Sequence, residues 1–176
     1  MAIMTIRVLL VESQPEDVLF MRDVLLEIES GRYWDIWRPL EILYASTVKG
    51  AMAIVARQSV DVILLNPDLS DSQGIATFRK IHRSAARIPI ILLVGPEDLG
   101  MASRLVRDGA QDFLTKQSID CAPLAHAIHN AIERQRLLSA AQAAANIDRL
   151  TGLIDRGDSW HSRIGTENSL RASAAA

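Results

Sequence analysis

The chain holds a single cysteine, Cys121, among its 176 residues, so no disulfide can close within it. One thiol with no motif around it does not read as a nucleophile, and it suits a reducing compartment; a cytoplasmic location is expected. Long apolar runs are missing as well, and none approaches the roughly 18 residues that a membrane span needs. Residues 1–11 are apolar but short, are broken by Arg7 and lack a small-residue cleavage site, so they read as a strand and not as a signal segment. Charge of one sign is not in excess. Nineteen basic residues face 21 acidic ones, which leaves no basic footprint for nucleic acid. No membrane or nucleic-acid partner is therefore expected. The four histidines, His82, His126, His129 and His161, make no metal set, since only His126 and His129 are near each other and no further ligand accompanies them. Aromatic residues are scarce, yet Trp34 and Trp37 share one short segment, residues 32–39. That segment is either an anchor for a partner or a local cover over a sheet edge.

What is present is apolar sequence in short, regular pieces. The chain is 49% hydrophobic, enough for one globular domain with some sequence to spare. Residues 6–11, 60–65 and 88–94 are nearly unbroken apolar runs, and 40–44 and 111–115 are shorter ones. Runs without alternation predict strands covered on both faces, as in a parallel sheet. Helical patterns lie between them. Ser13-Gln14-Pro15-Glu16 reads as a helix start, with Ser13 capping, Pro15 early in the helix and Glu16 completing a capping box. Val18, Met21, Leu25 and Ile28 follow at helical spacing, and Gly31 is the expected stop. Residues 47–58, 74–83 and 98–108 predict three more helices, the last closed by Gly109. Five strand-helix repeats imply a doubly wound α/β sheet, because parallel strands need crossover helices.

In such a sheet, function gathers at the carboxyl ends of the strands. Those ends are Val11-Glu12-Ser13, Leu65-Asn66-Pro67-Asp68, Leu93-Val94-Gly95 and Leu114-Thr115-Lys116. Residues 6 to about 135 resemble a receiver domain of two-component signalling. The resemblance is carried by Arg7-Val8-Leu9-Leu10-Val11-Glu12-Ser13-Gln14-Pro15-Glu16-Asp17, by residues 61–74 and by Gly109-Ala110-Gln111-Asp112-Phe113-Leu114-Thr115-Lys116. It implies a CheY-like, flavodoxin-like fold of five parallel strands and five helices, and a pocket built for phosphoryl transfer. Such a pocket has an aspartate acceptor after the third strand and an acidic pair after the first that helps hold Mg²⁺. A Thr or Ser follows the fourth strand, and a lysine after the fifth faces the phosphoryl oxygens.

Three of these four features are altered. The acceptor position is Asn66, a neutral amide that is no nucleophile. The acidic pair is reduced to Glu12, with Ser13 beside it, and the hydroxyl position is Val94. Lys116 is kept, followed by Gln117 where the family usually has proline. A degenerate pocket of Glu12, Ser13, Asn66, Asp68, Val94 and Lys116 is the expectation, with no catalytic residue, no cofactor and Mg²⁺ binding weak or lost. Asp68 and Asp71 are alternatives as acceptors, and Glu12 with Asp68 as residual Mg²⁺ ligands.

Beyond the receiver-like part, assigned to residues 1–135, a helical linker is expected over 136–147. No Gly or Pro interrupts residues 124–147, and Leu124, Ala131, Leu138 and Ala145 repeat every seven residues. Ile128, Gln135 and Gln142 make the companion positions partly polar, as in a weak coiled coil or a single signalling helix. Asp148-Arg149-Leu150-Thr151-Gly152-Leu153-Ile154-Asp155-Arg156 is similar to the opening of GGDEF-type diguanylate cyclase domains, although Asp155 stands where that family usually has Asn. No GGDEF or GGEEF sequence follows, and residues 157–176 are expected to be mostly disordered. The resemblance implies a non-enzymatic pseudo-receiver in phosphorelay signalling. It would act through protein partners, with self-association through the fourth helix, fifth strand and fifth helix. The alternatives are the regulatory part of a diguanylate cyclase in cyclic di-GMP signalling, or a regulator phosphorylated on a non-standard aspartate.

Overall fold

A computed structural model describes residues 5–31, 33 and 39–151 of the chain. The Trp34–Trp37 stretch, the end of the cyclase-like motif (152–156), His161 and the tail at 157–176 lie outside the described residues. The elements alternate as expected: β1 (Ile6–Val11), α1 (Pro15–Ser30), β2 (Leu40–Ala45), α2 (Val48–Arg57), β3 (Val62–Leu65), α3 (Gly74–Ser84), β4 (Ile90–Val94), α4 (Leu99–Arg107), β5 (Asp112–Thr115) and α5 (Cys121–Thr151). All four strand pairings are parallel, in the order β2-β1-β3-β4-β5.

The unbroken apolar runs are explained by the two layers of helix they separate. Successive strand side chains point to opposite faces. Val8, Leu10, Val62, Leu64, Ile91 and Leu93 therefore meet α1 and α5 on one side. Leu9, Val11, Ile63, Leu65, Leu92 and Val94 meet α2, α3 and α4 on the other. Each such side chain removed from water contributes about 2 kcal/mol.

Local details depart from the sequence expectations for physical reasons. Strand β3 starts at Val62, two residues late, because the Asp61 carboxylate turns back to accept the Arg7 N–H at 2.8 Å. The expected capping box is not formed. The N-cap of α1 is Gln14, with no side-chain cap bond, and the N–H groups of Ser13 and Gln14 both go to the Glu12 carboxylate, at 2.8 and 2.9 Å. An ionised carboxylate is the stronger acceptor and outcompetes the Ser13 hydroxyl. Gly109 closes α4 in the left-handed region (φ 118°), where a side chain is strained. The seven-residue repeat of α5 also has a different cause over its first half. Leu124, Ile128 and Ala131 are buried in the core layer beside α1, whereas Leu138 is 50% exposed. The sheet sets the phase there, so Leu124 to Ala131 form no coiled-coil seam. The described residues divide into two units, with the boundary between Leu137 and Leu138.

Candidate functional site

The carboxyl ends of β1, β3 and β5 bring Glu12, Asn66 and Lys116 together. Because β1 lies between β2 and β3, Glu12 leaves the sheet beside Asn66, and its side chain has no exposed surface. A buried carboxylate needs compensation from every direction. Glu12 Oε1 accepts from the Asn66 amide at 2.9 Å as well as from the two backbone N–H groups. Glu12 Oε2 accepts from Lys116 Nζ at 2.7 Å. Asn66, itself buried, is held from its other end: its Oδ1 accepts the Asp68 N–H at 2.9 Å. The Tyr44 hydroxyl, at the end of β2, donates to the Glu12 carbonyl at 3.0 Å.

Lys116 is engaged with Glu12 and has a second partner as well. It is Asp17 in the first turn of α1, at 2.6 Å. Burial alone would pull the ammonium's proton affinity down, but the hydrogen bonds it donates to Asp17 and Glu12 outweigh it, and the pKa rises above the ordinary lysine value. Asp17 was not singled out from sequence, although it lies inside the stretch that carries the resemblance. The available signal was its spacing. It precedes the buried Met21 by one helical turn, which turns it toward the sheet edge.

The remaining site positions are spread around this cluster. Ser13 lines an open recess with Gln14, Ser46, Asp68, Leu69, Ser70 and Gln73. Val94 is 1% exposed and packs in the apolar layer against α3 and α4. The two loop acids are committed to helix starts. Asp68 Oδ1 accepts the Gly74 N–H at 3.1 Å, at the first residue of α3. Asp71 accepts from the Val48 and Lys49 N–H groups at 3.0 and 3.4 Å, at the start of α2. Both are the N-terminal carboxylate placements that helix dipoles favour.

The family profile of the response regulator receiver domain matches residues 38–129, more than half of the chain. The chain belongs to the response regulator receiver domain family. The matched stretch of the receiver begins at β2, so β1 with Glu12 and Ser13 precedes it and is joined to it by the sheet register. The response regulator protein PilR of Pseudomonas aeruginosa is 29% identical over 147 residues, which cover 83% of this chain but 30% of PilR. The receiver thus spans under a third of that longer relative. Among solved structures, a response regulator receiver domain protein from Clostridium thermocellum is 24% identical with a TM-score of 0.63, covering 76% of this chain and 98% of that one. The receiver domain of a sensor histidine kinase from Pseudomonas aeruginosa, with a magnesium ion coordinated in its active-site cleft, is 22% identical with a TM-score of 0.60, covering 74% and 99%. These two likenesses bear on the receiver's fold. Among the described residues, no helix is long and apolar enough to cross a membrane.

Proposed function

We propose that this receiver is a pseudo-receiver: a non-enzymatic module that carries signal through protein contacts and not through an aspartyl phosphate. The observation behind this reading is the Asn66 amide donating to Glu12 Oε1. A carboxylate at position 66 has no proton to give there, so the pocket is assembled around the amide. The donor set does not fit Mg²⁺ either. Both Glu12 oxygens are taken, Ser13 supplies no carboxylate, and the Asn66 oxygen already accepts an N–H. Mg²⁺ wants several oxygens at near-ideal octahedral positions. Val94 offers no hydroxyl to answer a phosphoryl group. Phosphorylation of Asp68 or Asp71 is disfavoured, because each would first have to give up a helix start.

Incubation with Mg²⁺ and a small phosphodonor, followed by intact mass measurement, is expected to leave the protein unmodified. An adduct on Asp68 or Asp71 overturns the reading.

The contact surface we favour is α4, β5 and α5, for association with a second copy. β5 is an edge strand, and this face mixes charges of both signs: Arg104 and Arg107 on α4, Asp112 on β5 and Asp120 before α5, all exposed. Mixed charges suit the self-complementary patch of a two-fold dimer. Arg104→Glu with Arg107→Glu should weaken association in sedimentation velocity. An unchanged association constant rejects this face. The reading as the regulatory part of a diguanylate cyclase keeps one supporting observation: α5 runs without a break to Thr151, into the motif that starts at Asp148.

A further inference from the structure

We infer that the chain carries a further contact with its own kind, made head to tail: the outer face of α1 in one copy docks on the α3–α4 face of the next. This goes beyond the two-fold contact proposed above and does not depend on what the pocket binds.

A near-neutral composition conceals a division of charge. Helix α1 holds Glu16, Asp17, Asp23, Glu27 and Glu29 against a single base, Arg22. Helices α3 and α4 hold Arg79, Lys80, Arg83, Arg104 and Arg107 and no acid. Helix α1 packs on one side of the sheet, and α3 and α4 pack on the other. The two signs therefore face outward on opposite sides of the receiver.

Helix α1 is apolar on more than its inner face. Met21, Val24, Leu25 and Ile28 are buried in the core. Glu16, Leu19, Asp23 and Leu26 follow one another at steps of three, four and three residues, so they share an outer row. Leu19, Phe20 and Leu26 are 53%, 46% and 47% exposed. Lone exposed apolar side chains are ordinary, whereas a cluster rimmed by polar groups marks an interaction site.

The α3–α4 face is complementary. Arg79 on α3 reaches Asp108, just past the end of α4, at 3.8 Å. Arg83 lies one turn beyond Arg79, and Arg104 lies one turn before Asp108, so both border the seam between the helices. Both are exposed, and neither makes an ion pair among the described residues. The seam is shallow. Ala76 and Gly100, one turn back in the same two rows, are exposed, and nothing lies within 4 Å of where a Gly100 side chain would start. Arginine stems there can cover Leu19 and Leu26 while their guanidinium groups meet Glu16 and Asp23. A patch that meets a different patch does not close on itself, so copies add in a row.

Sedimentation velocity over a concentration series, at about 0.15 M salt, tests this with two variants. Arg79→Glu with Arg83→Glu spoils the seam, and Glu16→Gln with Asp23→Lys spoils α1. Arg104 borders both proposed contacts, so the variants leave it in place. Each variant alone should associate at least about tenfold more weakly than the unaltered protein. Mixed in equal amounts, they should form a one-to-one complex that does not grow with concentration, because each brings the face that the other lacks. A two-fold contact through α4, β5 and α5 leaves each variant paired with itself and gains nothing on mixing. The inference is overturned if either variant associates as the unaltered protein does. It is also overturned if the mixture sediments as the mean of its components, in which case the two faces serve foreign partners. A third arm needs no variant: association of the unaltered protein should fall at least about tenfold between about 0.05 M and about 0.5 M salt. Association that ignores salt rejects the contact.

Discussion

The interior of the sheet and its carboxyl rim are built on opposite rules. In the interior, Leu64, Ile91 and Leu92 have no exposed surface beyond 0%, and water exclusion alone holds them. At the rim, Glu12 is equally buried but is held by three N–H groups and one ammonium. Interior positions tolerate exchange among apolar residues of similar volume. Rim positions do not, because each partner there was matched to a particular donor or acceptor, and losing one leaves another unsatisfied. The rim thus leaves its buried carboxylate fully partnered.

The largest effect should come from the interior. Leu64→Ala should cost about 3–4 kcal/mol, transfer and cavity together, in denaturant unfolding. The loss should be the same across pH, because no titratable group is involved. Glu12→Ala should come next, at about 3 kcal/mol, since it strands the Asn66 amide and two backbone N–H groups and takes one of the ammonium's two carboxylates. If Glu12→Ala proves neutral, the rim is solvated in practice and the contrast fails.

Lys116→Met should cost less, about 2 kcal/mol, because part of the side chain reaches water. Its signature is in the pH profile. The folded pKa of Lys116 is raised above 10.5, so its contribution is complete below pH 10.5 and is lost as pH climbs through the folded value. The buried Cys121 thiol is also raised, from an ordinary value of 9.0, by burial first and by Glu27 second. It acts with the same sign, beginning near pH 9.0. The unaltered protein should therefore weaken as pH climbs through the alkaline range, and Lys116→Met should weaken less over that range. An unaltered profile in Lys116→Met would mean that the ammonium contributes nothing there.

Asn66→Asp should be milder still, about 1–2 kcal/mol at neutral pH, from a carboxylate placed against Glu12. It should not restore a phosphate switch. Addition of Ser13→Asp should permit modification, and Val94→Thr should be needed as well for a change in amide exchange over α4. Full phosphorylation and a full exchange response in the single variant would sink the case for a pocket degenerate at several positions. Smallest of all, Leu138→Ala should change unfolding by under about 0.5 kcal/mol, because that side chain is 50% exposed.

Much of this was legible without coordinates. The apolar runs of β1, β3 and β4 announce strands covered twice, because only a strand with helices on both faces can bury every residue. The strand ends could then be read for Glu12, Asn66, Val94 and Lys116, because parallel topology sends all carboxyl ends to one edge. The capping of α1 was misread at Ser13 because sequence does not weigh a hydroxyl against a neighbouring carboxylate. The repeat of α5 was misread over Leu124 to Ala131 because a helix lying on a sheet and one lying on another helix share nearly the same period.

By itself the sequence determined which chemistry the pocket lacks. An amide at position 66 has no nucleophilic oxygen, and a valine at position 94 has no hydroxyl, in any conformation. Only the tertiary structure decided which residues meet at the rim. Asp17 lies 99 residues from Lys116 along the chain, and Asn66 lies 54 from Glu12. Such pairs form because folding brings strand ends and a helix start to one edge. That both carboxylates then take the ammonium is settled by the geometry of that edge and the burial around it, neither of which is written in the order of the residues.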